Sequence, residues 1–358
     1  MANTNFWPSM VDYQEAVQSP GSAFASSELC SGTPVTNKLG MPRPICGTFA
    51  SVYEFITAGR RRWAVKCFLR NIPDLHQRYA KISDHLKKNR WLPYFATFEY
   101  QENGIKVRGK SFPLVKMEWL DGDPLNTFIE KNLSRPKVLT KLHHAWEKLL
   151  ADLRSAKIAH GDLQHGNVLV RPNGDLRLID YDGMWVPSLE GQVSNETGHP
   201  DYQSPRRTQK HFHEGIDKFS NAVIQLSICA LAENPGLWKK YNNGDNLLFR
   251  RRDFLNLRKS SLIADLQKLK SPNVKNMLAA IVKECHRGRK VKSGNPANKP
   301  KAVPASWLTD YVQDYRPKPK PHSSPKSPSS NGETNATSST SSRRDGVFSS
   351  IIRAIFGS

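Results

Sequence analysis

Long hydrophobic runs are missing from this sequence. The longest, Ala222 to Ala232, is broken by Gln225 and Ser227 and is too short to span a bilayer. The N-terminus lacks the charged-then-apolar pattern of a secretory signal. Cysteine is scarce: Cys30, Cys46, Cys67, Cys229 and Cys285 are odd in number, widely spaced and without a C-x-x-C pair, which suits a reducing cytosol. These absences point to a soluble, cytoplasmic protein. Acidic residues are also few, 32 against 53 Lys and Arg, giving a formal charge of +21. Such a balance favours nucleic acid, anionic lipid or acidic proteins as partners. Basic clusters occur at Arg60-Arg61-Arg62 and Arg250-Arg251-Arg252, but neither an RNA-binding aromatic pattern nor finger spacing accompanies them. Specific nucleic-acid recognition is therefore not expected.

Of the 358 residues 38% are hydrophobic, and the deficit collects at the two ends. Residues 1–40 show little periodicity and read as an irregular extension. From 41 to 120 the pattern is that of a small β-rich lobe, with strands over Phe49 to Ile56 and Trp63 to Phe68 around the Ala58-Gly59 turn. A helix is expected from Asp74 to Lys88, and a hairpin at Asn103-Gly104. From 121 to 286 the character is helical. The stripe Leu142, Trp146, Leu149, Leu150 and Leu153 marks one helix, and the apolar stretch Phe219 to Ala232 marks another buried on most sides. Residues 287–345 are Pro/Ser/Lys-rich and expected to be disordered. Residues 346–358 carry Phe348, Ile351, Ile352, Ile355 and Phe356 on one helical face. That basic, partly amphipathic tail reads first as a loosely ordered end, with contact to acidic partners or a membrane surface as the alternative.

The chemistry concentrates in His160-Gly161-Asp162-Leu163-Gln164-His165-Gly166-Asn167 and the residues after it. A hairpin around Asn173-Gly174 puts Asn167 before its first strand and Asp180 after its second. Facing residues of an antiparallel pair lie about 5 Å apart at Cβ, so an amide oxygen and a carboxylate can share a hard cation there. Asp162, on the loop entering the hairpin, is placed to accept a proton from an attacking hydroxyl. Lys66, in Trp63-Ala64-Val65-Lys66, is a cation on a strand of the first lobe.

In this order and spacing the motifs resemble the eukaryotic-like protein kinase superfamily, including its atypical bacterial Ser/Thr members, over about residues 41–286. The resemblance implies a bilobal α+β fold and transfer of the γ-phosphoryl group of ATP, with Mg²⁺ or Mn²⁺, to a Ser or Thr hydroxyl of a protein substrate. It implies Asp162, Lys66 and Asn167 as catalytic residues and Asn167 with Asp180 as metal ligands. Gly47, Val52, Ala64, Lys66, Met117, Glu118 and Leu120 would bind ATP, the last three from a hinge-like Met117-Glu118-Trp119-Leu120. His160 and Asp217 would support the catalytic loop, and Gly198 to Pro205 resembles the end of an activation segment. Asp182 is expected beside the metal site rather than in it.

Departures from the family bear on the reading. Ile45 and Ala50 stand where glycines are expected around Gly47, and Gly161 replaces the usual arginine before the catalytic aspartate. Arg206 replaces the glutamate that ends the activation segment. The helix that should offer a carboxylate to Lys66 has only Asp74 and Asp84. Two alternatives therefore stand beside the protein kinase: a small-molecule phosphotransferase of the aminoglycoside or choline kinase type, and a nucleotide-binding pseudokinase scaffold.

Overall fold

Alternation alone does not explain strand β3, Ala50–Ile56, in which every residue but the last is buried. The cause lies upstream, in the segment expected to be irregular. In the computed structural model, which describes residues 6–47 and 49–286, that segment forms three short helices: α1 (Met10–Val17), α2 (Pro20–Ala23) and α3 (Ser27–Cys30). Ser9 and Asp12 start α1 as a capping box, each side chain accepting from the other's backbone N–H. The helices lay Tyr13, Val17, Phe24 and Leu29 on Tyr53, Phe55, Val65, Ile105 and Leu114 of the adjoining sheet. Burying each such side chain is worth about 1.5–3 kcal/mol, enough to order a segment of weak local propensity. Small and polar residues hid this because only one residue in three or four touches the sheet.

The sheet contains β1 (Thr33–Pro34), β2 (Pro44–Cys46), β3, β4 (Arg62–Phe68), β5 (Phe98–Val107) and β6 (Lys110–Glu118), ordered β1-β3-β4-β6-β5 with β2 also on β3. All pairs are antiparallel. Gly59 and Arg60 turn β3 into β4 with φ of 70° and 59°. The β5–β6 turn is not at Asn103-Gly104 as expected. It is at Arg108-Gly109, whose positive φ values of 48° and 79° suit a two-residue hairpin. Asn103-Gly104 lies inside β5, at a register shift between Gln101 and Ile105. A Cβ at Gly104 would stand 2.5 Å from Leu114, so that glycine serves close approach rather than turning.

Helix α4 (Leu75–Lys88) follows β4 and buries Leu75, Arg78, Tyr79 and Ile82. Residues 121–286 form the helical lobe, with β7 (Asp123–Pro124), α5 (Leu125–Lys131) and α6 (Pro136–Ser155) leading to the hairpin β8 (Val168–Val170) and β9 (Leu176–Leu178). Helix α7 (Lys218–Glu233) runs against α6, where Trp146 Nε1 donates to Asn221 Oδ1 at 2.8 Å. Four helices complete the lobe: α8 (Gly236–Tyr241), α9 (Arg251–Leu255), α10 (Ser261–Gln267) and α11 (Pro272–His286). None of the described helices is long and apolar enough to cross a membrane. The tail from 287 to 358, with the contacts expected of it, lies outside the described residues.

Candidate active site

The hairpin forms as its turn residues predict. Gly174 takes a φ of 90°, Arg171 N donates to Asp175 O, and β8 pairs with β9 from Val168↔Leu178 to Val170↔Leu176. One step beyond the ladder, Ile179 N donates to Asn167 O at 3.1 Å, which brings Asn167 alongside the start of the Asp180 loop. Asp180 takes a left-handed φ of 64°, a conformation costing a residue with a Cβ about 1–2 kcal/mol and tolerated best by Asp and Asn. Its neighbour Tyr181 is fully buried and holds the loop to the β-rich lobe, accepting from Ala96 N and donating to Leu178 O.

Asp162 sits at the entrance to this hairpin. One carboxylate oxygen accepts from His199 N at 2.7 Å and the other from Asn167 Nδ2 at 3.0 Å. Asn167 is 1% exposed, and its Oδ1 is buried with no hydrogen-bond partner among the described residues. A buried unpaired oxygen is costly. On the same hairpin as Asp180 it fits a hard divalent cation, which takes oxygen ligands from amides and carboxylates.

The loop itself is anchored from below. Asp217 accepts from both His160 N and Gly161 N, and its carboxylate makes no capping bond to α7. His160, fully buried, places Nε2 3.0 Å from Ile179 O and so ties the loop to the end of β9. Gly161 takes a φ of 82°, and a Cβ there would stand 1.9 Å from Gly183 O. This contact excludes every residue but glycine, which accounts for the missing arginine. His165 packs its ring against Tyr202, with Nδ1 2.6 Å from the hydroxyl. Burial, reinforced by His199, pushes its pKa down to about 3, so it is a neutral structural group.

Across the cleft, Lys66 is 7% exposed and Nζ donates to Asp180 Oδ1 at 2.8 Å and Asp182 Oδ2 at 2.7 Å. Burial opposes its charge, but Asp180 and then Asp182 outweigh that and hold its pKa above the usual lysine range. The ladder places Val52 opposite Lys66 and Ala64 opposite Met117, so these four share one face of the sheet. Gly47 closes the β2–β3 turn by donating to Ala50 O at 2.9 Å. Glu118 is exposed at the end of β6 and Leu120 is half-buried two residues on.

Neither expected helix carboxylate reaches Lys66. Asp74 precedes α4 in a left-handed conformation, and Asp84 is exposed beside Lys87. Asp182, expected beside the metal site, is a partner of Lys66, and its second oxygen accepts from Tyr79 OH of α4. Glu196 is a further group the sequence did not single out. Burial, and then Asp162, Asp180 and Asp182, push its carboxyl well above the usual range. Nothing in the sequence around Glu196 marks it. Tyr79 falls on the apolar stripe of α4 and so reads as core. Arg206 donates to Glu284 Oε1 at 2.5 Å, joining the end of the activation-like segment to α11.

Comparison with known proteins agrees with this geometry. The chain is similar to serine/threonine-protein kinase chk1 of Schizosaccharomyces pombe, 25% identical over 142 residues, covering 38% of this chain and 28% of that protein. It is similar to MAP kinase kinase MKK1/SSP32 of Saccharomyces cerevisiae, 28% identical over 121 residues, 32% of this chain and 22% of the relative. A protein of Dictyostelium discoideum named probable serine/threonine-protein kinase mkcD is 35% identical over 80 residues, 22% of this chain and 12% of that one. The chain thus spans less than a third of the length of each of these relatives. The model of the protein kinase domain matches residues 43–292, well over half the sequence, and the chain belongs to the protein kinase family.

Proposed function

We propose that this protein is a serine/threonine protein kinase that transfers the γ-phosphoryl group of ATP to a hydroxyl of a protein substrate. One observation carries the reading: a single hairpin and its entry loop hold Asp162, Asn167 and Asp180 together, with the Lys66 ammonium 2.8 Å from Asp180. Phosphoryl transfer asks a protein for alignment, charge neutralisation and a base rather than for covalent chemistry. Asp162 is the base. Its two oxygens are oriented by His199 N and Asn167 Nδ2, which leaves lone pairs for a substrate hydroxyl. Asn167 Oδ1 and Asp180 would hold Mg²⁺ or Mn²⁺, which supplies charge neutralisation on the phosphates. Lys66 adds the fixed positive charge of the β-rich lobe, while Val52, Ala64 and Met117 offer an apolar surface for the base of the nucleotide. Gly47 would face the phosphates, and Glu118 and Leu120 would offer backbone groups to the adenine edge.

A protein acceptor is favoured because the segment Gly198 to Pro205 reaches the base itself, through the His199 N to Asp162 bond. The names of the relatives point the same way. Free thiols at Cys30, Cys67 and Cys229 support the cytoplasmic location expected from composition. The test is incubation with γ-labelled ATP, Mg²⁺ or Mn²⁺ and a generic acceptor protein, beside Asp162→Asn and Asp180→Asn. Wild-type protein should label the acceptor on Ser or Thr, and both variants should lose at least about 100-fold in rate. ATP turnover without protein labelling, or equal labelling by the variants, refutes the proposal.

A further inference from the structure

We infer that Tyr79 and Asp182 are positioning residues for Lys66, replacing the missing helix carboxylate with a chain that runs from helix to carboxylate to lysine. The inference rests on the kinase reading above for its kinetic arm and for the cation duty given to Asp180; the acylation arm reads the geometry alone.

Lys66 is buried, and a buried ammonium needs a carboxylate held on it. Of Asp180 and Asp182, both bonded to it, Asp180 would on that reading also serve the divalent cation, which leaves Asp182 as the lysine's steady support. Asp182 carries no such second duty. One of its oxygens accepts from Lys66 Nζ at 2.7 Å and the other accepts from the Tyr79 hydroxyl. Tyr79 is 1% exposed and its ring is fixed by edge contacts with Phe68 and Phe98 and by stacking on Tyr100. Its hydroxyl is therefore aimed by packing, not by chance rotation. Burial, with Asp182 next, holds the phenol well above its usual pKa, so it remains a donor.

The adjacent residue extends the tie. Arg78, on the same turn of α4 and 7% exposed, donates to Val193 O at 2.6 Å. Successive residues of one helix thus grip Asp182 and Val193, the two ends of a twelve-residue stretch of the segment. The helix, the segment and Lys66 are placed together or not at all.

The test uses Tyr79→Phe, Asp182→Asn and the double variant in the full chain. Tyr79→Phe deletes one hydroxyl and keeps the ring, so the fold should survive, checked by thermal unfolding. Each single change should lower kcat/KM for ATP about tenfold, the loss expected of one charge-assisted hydrogen bond. In the double variant the tyrosine change should cost less than twofold more, because its only route to Lys66 is gone. A purely structural role predicts additive losses instead. The second arm needs no catalysis: acylation of Lys66 by a small amine-reactive reagent, followed by peptide mass spectrometry. Lys66 should react several-fold faster in Tyr79→Phe and Asp182→Asn than in wild type. Unchanged Lys66 reactivity, or fully additive kinetic losses, overturns the inference. If wild type transfers no phosphoryl group the kinase reading falls, and the acylation arm still decides this one.

Discussion

Gly161 shows how one missing atom fixes a loop. Its left-handed φ and the 1.9 Å gap to Gly183 O leave no volume for a methyl group, and both obstacles are backbone, which cannot step aside. Gly161→Ala therefore meets conformational strain of about 1–2 kcal/mol and overpacking of about 1–3 kcal/mol. Urea unfolding should show a loss in that combined range, with phosphoryl transfer falling further because Asp162 is the next residue. Full stability in this variant would mean that the loop is not held against Gly183. At this scale motif spacing carried the positions of several residues. Asp162, Asn167, Asp180, Lys66 and Asp217 stand where their motif spacing put them, within hydrogen-bond reach of one another or of the loop backbone. The pairing of Asp182 with Lys66, the hydroxyl contact of Tyr79 and the presence of Glu196 were not readable. Their roles depend on which side chains a folded segment brings face to face, and a tyrosine on an apolar helix stripe looks the same whether its hydroxyl has a partner or not.

Among elements, local periodicity predicted what local forces decide. The helices starting at Leu75 and Lys218 lie within about two residues of their expected bounds, and that starting at Pro136 carries the expected stripe, because the apolar pattern of each is long enough to read. The three helices before β1 escaped because the longest has eight residues, below what helix propensity sustains alone. Tertiary contact orders them. Trp7 Nε1 and Tyr13 OH both donate to Phe68 O, two residues past Lys66, and Glu28 pairs with Arg61 and Lys116 and accepts from Trp63 Nε1. The extension is thus part of the β-rich lobe. Leu29, fully buried in this layer, tests it: Leu29→Ala should cost about 2–5 kcal/mol in chemical denaturation. Val11→Ala, at a position 71% exposed on the neighbouring helix, should stay within about 0.5 kcal/mol of wild type. Equal, small effects would show the extension to be a dispensable strap.

At the scale of the molecule, the two lobes meet on a charge problem. Asp162, Asp180, Asp182 and Glu196 influence one another in one cleft, and Lys66 is the cation hydrogen-bonded between Asp180 and Asp182. The crowding of acids raises the pKa of Glu196, while Asp180 and Asp182 are answered by Lys66. Removing one partner of a buried pair costs about 3–5 kcal/mol, since the other charge stays behind. Lys66→Met, similar in length but uncharged, should therefore lower stability by roughly that amount in metal-free buffer. A divalent cation held, as proposed, by Asn167 Oδ1 and Asp180 would bring positive charge to the same carboxylates. Mg²⁺ should then raise the melting temperature of Lys66→Met more than that of wild type, because in wild type the lysine already neutralises the oxygens the cation would use. Adding Asp180→Asn to Lys66→Met should abolish the extra gain. Thermal unfolding across a Mg²⁺ titration reads all three proteins, and a gain of equal size in each would show that the cation binds elsewhere.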